Sequence, residues 1–184
     1  MRIPASSCGL FRFKPTRARL PDGPYAGEGW AGMAIDGFLT RSVRDTALLL
    51  DVTEGADLGA PYYAPPLSES FCAALERPPL RLRVAMCDTM LTGAPLHPDC
   101  RSAVHETAAL LVHMGHSVTP ALPRADINGM MLAWTKIVAC GTALWIEKTL
   151  AARGTTLGQD EIEGVAQGAM AYAATISGAD YLDA

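Results

Sequence analysis

The side chains that could act as nucleophiles near the start of the chain are the hydroxyls of Ser6 and Ser7. A serine attacks a carbonyl carbon only when a base within hydrogen-bonding reach takes its proton. In this part of the sequence that base would have to be Lys14, which stands in a Lys-Pro-Thr segment. We therefore interpret the two hydroxyls as partners of backbone groups in a turn.

Histidines that could bind a metal are concentrated in a short stretch: His97, His105, His113 and His116. Metal-binding histidines on a helix usually recur at a spacing that lets both rings reach one ion, often beside a carboxylate. His105 and His113 are eight residues apart, which is too far for a common ion. The pattern predicts surface and helix-cap histidines and no metal site.

The cysteines are five in number and widely spaced, with no Cys-x-x-Cys pair: Cys8, Cys72, Cys87, Cys100 and Cys140. An odd, scattered set is typical of reduced thiols in a cytoplasmic protein rather than of a disulfide framework or a zinc site. Cys140 has no base or cation beside it in the sequence that would activate it as a nucleophile.

Three ordered motifs in the first 51 residues resemble the amidase signature family. Residues 1–5, Met-Arg-Ile-Pro-Ala, are similar to the end of the signature, Gly-Gly-Ser-[aliphatic]-Arg-x-Pro-[small]. Residues 9–16, Gly-Leu-Phe-Arg-Phe-Lys-Pro-Thr, resemble the family's Gly-Leu-x-Gly-x-Lys-Pro-Thr. Residues 37–51 resemble its Gly-Pro-Leu-Ala-Arg-Ser-Val-Arg-Asp-Ala-Ala-Leu-Leu-Leu-Asp.

The resemblance implies hydrolysis of amide carbon–nitrogen bonds by a serine nucleophile, assisted by a serine on a cis peptide bond and by a lysine. The nucleophile precedes the aliphatic–arginine pair, so all three catalytic groups would lie upstream of Met1. We therefore expect this chain alone to be inactive. Arg2 is implied to brace the loop that holds the nucleophile. Family glycines are replaced by Arg12 and Ala18, whose side chains would strain a backbone with positive φ.

Three functions follow from this resemblance. The first is an amidase acting on a small-molecule amide without a metal or organic cofactor; the Gly-Trp-Ala-Gly-Met run at 29–33 is similar to the branch that acts on ω-amino-acid and cyclic amides. The second is the amidase subunit of a glutamine-dependent amidotransferase. The third is a catalytically inactive remnant, or a fragment that acts by association. Oligomerisation is left open, with a homo-oligomer as one form.

The composition excludes other classes of partner. The net charge is -4 and the charged share is 18%, whereas about 25% is usual. An acidic chain without a basic cluster is not expected to bind nucleic acid. No unbroken apolar run reaches the roughly 18 residues that span a bilayer, so no membrane partner is expected. The low charge instead fits a surface that more polypeptide covers.

Periodicity and capping residues predict an α/β fold, and the resemblance implies a partial amidase-type α/β/α sandwich with a mixed sheet, truncated at both ends. We expect one domain over 1–184 with three regions: a loop-rich segment (1–41), an α/β scaffold (42–124) and a helical region (125–184). The scaffold would contain helices over 42–54, with Val43, Ala47 and Leu50 on one face, about 68–75, and 99–114. Strands over 80–86 and from 117 would complete a βαβ unit.

The helical region begins with a long apolar helix over 125–153, with a break expected near Gly141. Trp134 and Trp145 flank the small residues 139–141, and small residues between large flat ones leave room for an acyl chain. We predict that Trp134, Cys140 and Trp145 line a pocket for an aliphatic amide, with ordinary core packing as the alternative for each. Helices over 158–175 and from 177 follow.

Overall fold

Residues 2–23, 28–158 and 160–184 are described by a computed structural model, in which helices and short strands alternate in an α/β arrangement. They belong to two compact units, Met1–Pro78 and Pro79–Ala184. Met1, which occupies the aliphatic position of the first motif, lies outside the described residues.

A helix opens the first unit where the sequence analysis predicted a loop. Helix α1 spans Arg2–Cys8. Pro4 lies in its first turn, where the missing N–H would have no helical acceptor in any case. Gly9 ends the helix at a φ of 61°, and the N–H of Leu10 donates to the carbonyl of Ala5 at 2.9 Å. The loop prediction is therefore wrong for the residues of α1, because proline and glycine mark its two ends here rather than excluding a helix.

The rest of the first unit is built around a capped helix. Strand β1 (Phe11–Arg12) pairs antiparallel with β2 (Leu39–Thr40), and α2 (Val43–Thr53) follows. The side chain of Ser42 accepts the backbone N–H of Asp45 at 3.1 Å and so caps the helix that was predicted over 42–54. A short helix, α3, spans Phe71–Ala74.

The core of this unit is centred on a different face of α2 from the one predicted. Ala47 and Leu50 are buried as expected, but Val43 is 48% exposed. Thr46 is buried in its place, because its hydroxyl pairs with that of Thr40 at 2.7 Å. A hydroxyl with a partner can enter the interior at little cost, so the buried stripe includes threonine where the hydrophobic pattern pointed to valine.

One of the two replaced family glycines stands in the left-handed backbone region. Ala18 has a φ of 61°, whereas Arg12 lies in β1 with extended backbone. We expect Ala18→Gly to raise the free energy of unfolding by about 0.5–1 kcal/mol, because relief of the strain exceeds the entropy cost of glycine. Urea unfolding would measure this. As the matched control, Arg12→Gly should destabilise by about 0.5–1 kcal/mol, since its backbone has no such strain. A loss of stability in both variants would contradict the argument.

The second unit begins with the predicted βαβ arrangement. Strand β3 (Arg83–Met86), helix α4 (Pro98–His113) and strand β4 (Ser117–Pro120) follow one another along the chain. The two strands are parallel, with Val84 opposite Val118. This confirms the predicted strand–helix–strand order.

The histidines of the βαβ unit have different environments. His97 caps α4 by accepting the backbone N–H of Asp99 at 3.2 Å, as a cap histidine should. His116 was predicted to lie at the surface and is instead buried, with its Nδ1 accepting the backbone N–H of Leu82 at 3.2 Å. This long-range bond joins the residues that precede β3 and β4. Within the described part of the chain, no group of three potential ligands could hold a metal ion.

We expect His116→Leu to lower the free energy of unfolding by about 1–2 kcal/mol, because the Leu82 N–H would lose its acceptor. His113→Leu is the control, since His113 is exposed in the last turn of α4 and surface changes usually stay within about 0.5 kcal/mol. Chemical denaturation would measure both changes. Equal losses in the two variants would mean that the bond to Leu82 contributes nothing specific.

Three helices complete the second unit. Helix α5 spans Ile127–Arg153 without the break expected near Gly141, helix α6 spans Gly164–Ala173, and α7 spans Gly178–Leu182. A single glycine costs a helix only about 1 kcal/mol, which a 27-residue helix packed against α6 can absorb. The prediction of a break is therefore wrong.

Helix α5 bears on the expectation that no membrane partner is involved, which stays a prediction. By length and composition alone it could cross a membrane, although the sequence contains no unbroken apolar run of that length. The run is interrupted by a few polar residues, which do not prevent a continuous apolar helix. Core helices of soluble proteins meet the same criterion, so the observation is weak evidence for a membrane.

Candidate functional site

The segment that carries the first family motif forms helix α1 of the first unit. Arg2 is its first residue and is exposed. The hydroxyl of Ser6 donates to the carbonyl of Ile3 at 3.2 Å, and the ammonium of Lys14 donates to the carbonyl of Pro15 at 2.7 Å. Both groups therefore serve the backbone, as the sequence analysis proposed for Ser6. The bracing role of Arg2 stays a prediction.

The predicted pocket residues lie on helix α5 of the second unit, but they do not share one face. Trp134 and Trp145 are 11 residues apart, about three helical turns, so their side chains leave the helix in nearly the same direction. They are 44% and 70% exposed. Cys140 is half-buried and points to another side of the helix. The structure thus brings the two tryptophans onto one apolar face and separates the cysteine from it.

An open groove of about 260 Å³ lies beside the second half of α5. Trp145, Leu150 and Ile162 supply apolar walls, and Arg153 and Glu161 supply the charged groups. A mainly apolar groove with few polar groups has the general character of a small-molecule site. Trp145, one of the three predicted pocket residues, lines this groove.

Asp51 has a role that the sequence analysis missed, because its partners lie 20 and 21 residues further along the chain. Its carboxylate accepts the backbone N–H groups of Phe71 and Cys72 at 2.6 and 2.9 Å. Partial burial raises the pKa of Asp51, but these hydrogen bonds outweigh the burial, so its pKa lies below the ordinary value. The hydrogen bond to Asp51 raises the pKa of the Cys72 thiol, as do burial and the negative charge. A raised thiol pKa disfavours Cys72 as a nucleophile. The two hydrogen bonds of the Asp51 carboxylate join α2 to α3.

Acidic side chains lie at a small cavity of about 40 Å³ in the first unit. Its walls include Asp22 and Asp57, and the carboxylate of Asp57 accepts the backbone N–H of Gly23 at 2.6 Å. Burial raises the pKa of Asp22, and the charges of Asp36 and Asp57 raise it further. This cluster could not be predicted from the sequence, because its members are far apart along the chain.

A strained turn lies in the Gly-Trp-Ala-Gly-Met run. Trp30 and Ala31 have φ values of 48° and 50°, and Gly32 continues the left-handed turn at 74°. The N–H of Gly32 donates to the carbonyl of Gly29 at 3.1 Å. Left-handed backbone costs a non-glycine residue about 1–2 kcal/mol, so the surrounding structure must hold the turn in place. It leaves the Trp30 side chain 44% exposed.

The amidase family model matches residues 1–167. This chain belongs to the amidase family. The 6-aminohexanoate-cyclic-dimer hydrolase of Paenarthrobacter ureafaciens is 35% identical over 167 residues, which cover 89% of this chain and 34% of the hydrolase. The hydrolase of the same name from a Pseudomonas species has the same identity and coverage. The amidase chain therefore spans about a third of the length of these curated relatives.

Solved structures support the same family. A 6-aminohexanoate cyclic dimer hydrolase complexed with substrate matches with a TM-score of 0.87 and 32% identity, over 99% of this amidase chain and 39% of the hydrolase chain. A bacterial aryl acylamidase of the amidase signature family matches with a TM-score of 0.76 over 98% of this chain and 38% of its own. Because its identity is only 20%, the match to the aryl acylamidase supports the fold alone.

Proposed function

We propose that this chain is part of an amidase that hydrolyses amide carbon–nitrogen bonds with a serine nucleophile. The observation that carries the proposal is the family match over residues 1–167, together with the TM-score of 0.87 to a cyclic-dimer hydrolase. In the complete enzyme the two units would contribute to an α/β/α sandwich with a mixed sheet. We place the enzyme in the cytoplasm, since its cysteines are all free thiols.

The proposed chemistry is acyl transfer to serine followed by hydrolysis. A lysine and a serine on a cis peptide bond take the proton of the nucleophilic serine as its oxygen attacks the amide carbon, and backbone N–H groups stabilise the oxyanion. The leaving amine receives a proton, and water then releases the acid. The nucleophile would stand directly before the aliphatic–arginine pair of the first motif. Arg2 would brace its loop with the five donors of a guanidinium.

We propose an aliphatic amide as the substrate, in the class of cyclic or ω-amino-acid amides. Two relatives are named as hydrolases of the 6-aminohexanoate cyclic dimer. The apolar face of α5 that carries Trp134 and Trp145 supports an apolar substrate, and so does the groove that Trp145 lines. Cys140 lies away from this face and is the weakest of the three proposed pocket residues.

The proposal is tested by assaying release of the free amine from the 6-aminohexanoate cyclic dimer and from a simple aliphatic amide. Two proteins would be compared: this 184-residue chain, and the product of the same reading frame extended upstream of the Met1 codon. We expect turnover by the extended product only. Turnover by the 184-residue chain alone would refute the proposal that the nucleophile lies upstream of Met1. An inactive extended product would favour the alternative that the protein is a catalytically inactive remnant.

A matched variant makes the assay specific for the proposed mechanism. In the extended product, the residue before Met1 should be serine, and its replacement by alanine should abolish turnover, because no other group forms the acyl-enzyme. Ser6→Ala is the control, since the Ser6 hydroxyl donates to a backbone carbonyl of α1. Loss of activity in the control alone would place the nucleophile at Ser6.

A further inference from the structure

The groove beside the second half of α5 lies entirely within the second unit, and one of its walls is a face of the helix. Trp145, Thr149 and Arg153 are spaced four residues apart along this face, so the wall is about 12 Å long. Ile146 is buried and Leu150 is half-buried in the neighbouring row of the helix, and both line the groove. Its floor is therefore apolar.

The loop between α5 and α6 supplies the other lining residues. Leu157 and Ile162 are half-buried and add apolar surface, and Glu161 adds a carboxylate. The N–H of Gly158 donates to Oε2 of Glu161 at 2.8 Å, and the preceding residue, Asp160, has a φ of 60°. A non-glycine residue persists in this left-handed conformation only where the surrounding structure fixes it. The loop thus holds Glu161 at the groove.

The two charged side chains of the groove have opposite signs and do not pair with each other. Within the described part of the chain, neither Arg153 nor Glu161 belongs to an ion pair. The hydroxyl of Thr149 already donates to the carbonyl of Trp145 at 2.8 Å. A guanidinium binds a carboxylate through parallel N–H bonds, and a carboxylate accepts the N–H groups of an ammonium. A matching ligand therefore carries both charges and an apolar middle.

We propose that this groove binds a linear ω-amino acid, with its carboxylate on Arg153, its ammonium group on Glu161 and its aliphatic chain along the apolar floor. The choice of an ω-amino acid rests on the amidase function proposed above, because hydrolysis of a cyclic ω-amino-acid amide opens the ring and leaves one carboxylate and one amine. The apolar floor accommodates the chain of either molecule. The two charges favour the opened product over the uncharged cyclic amide.

Ligands with a single charge match the groove less well. A fatty acid would leave Glu161 facing its apolar chain, and an aliphatic amine would leave Arg153 without a counter-charge. Such mismatches exclude ligands as effectively as good contacts select them. An α-amino acid has both charges next to one carbon atom, so it cannot extend along a wall of about 12 Å.

The test is an NMR titration of the ¹⁵N-labelled 184-residue chain with 6-aminohexanoate. The chain contains three tryptophans, so Trp145→Phe identifies the indole N–H signal that belongs to the groove. We expect this signal to shift in a saturable way with a dissociation constant of about 1 mM, as is usual for so small a ligand. The signals of Trp30 and Trp134 should not move. Hexanoate, hexylamine and glycine should each bind at least tenfold more weakly.

Two variants address the two charges separately. Arg153→Gln and Glu161→Gln should each weaken the binding of 6-aminohexanoate at least tenfold. Lys148→Gln and Glu147→Gln are the matched controls, since both residues are exposed on α5 and do not line the groove. The controls should change the affinity by less than about twofold, and all four variants should keep the melting temperature of the chain within a few degrees.

The absence of a saturable shift in the wild-type chain would overturn the proposal. Equal binding of hexanoate would overturn it too, because Arg153 would then be only a cation in the last turn of α5 that attracts any anion. Turnover by the extended product is measured separately, so the two proposals can fail independently. Turnover without binding would refute the groove alone, and binding without turnover would refute the amidase activity alone.

Discussion

Replacing Leu50 by alanine is expected to lower the free energy of unfolding of the first unit by about 2–4 kcal/mol. Leu50 is 3% exposed and lies at the centre of the buried stripe of α2. Removing its branched end takes away the transfer free energy of the lost methyl groups and leaves a cavity that a small unit fills poorly. The walls of that cavity would be Thr46, Ala47 and their neighbours in the first unit.

Ile146→Ala is the matched variant in the second unit, where Ile146 is buried on α5. Each unit has a core of its own, so we expect differential scanning calorimetry to resolve two transitions, each lowered by the variant in its own unit. The observation that would contradict this is one transition lowered equally by both variants. That outcome would support the single domain over 1–184 that the sequence predicts.

The helices that the sequence predicted well are those with local end signals. Ser42 and Ser70 accept backbone N–H groups three residues ahead, and Ser177 forms a complete capping box with Asp180. Such bonds join residues within one turn, so their side chains and spacing are visible in the sequence. Helix α1 was missed because its proline and glycine were interpreted without regard to their position at the two ends.

Long-range contacts could not be predicted in the same way. His116 is buried because its ring accepts a hydrogen bond from Leu82, 34 residues away. Thr46 is buried because Thr40 provides a hydroxyl partner. A polar side chain enters a core when tertiary structure supplies its partner, and nothing in the local pattern states which partner will be near. Hydrophobic periodicity therefore predicted the helices, but it could not predict which polar residues are buried.

The same distinction between local signals and long-range contacts applies to the candidate site. Helical periodicity is enough to place Trp134 and Trp145 on one face, and it also separates Cys140, which was grouped with them by its position between the tryptophans. The role of Arg2 comes from the motif rather than from a contact, so it stays a prediction. Asp51 was missed, since its partners Phe71 and Cys72 are 20 and 21 residues further along the chain.

Asp51→Asn is expected to lower the melting temperature at pH 7 by several degrees. The carboxylate accepts two backbone N–H groups at the start of α3, one with each oxygen. Asparagine keeps one acceptor oxygen and turns an NH₂ group toward the second N–H, so one bond is replaced by two facing donors. The loss of a charge-assisted pair would loosen α3 from α2.

The pH dependence of stability follows from the direction in which the pKa of Asp51 is shifted. The folded pKa of Asp51 lies below its ordinary value of 3.8, so the unfolded chain takes up its proton first as the pH falls. The stabilisation by Asp51 is complete above the ordinary pKa and is lost as the pH falls through the folded pKa. The melting temperatures of the wild type and Asp51→Asn should therefore differ at neutral pH and converge in strong acid. Asp45→Asn, at an exposed position on the same helix, is the matched control for the loss of a carboxylate. A constant difference between Asp51→Asn and the wild type at every pH would mean that the amide disturbs packing and that the charge of Asp51 contributes nothing.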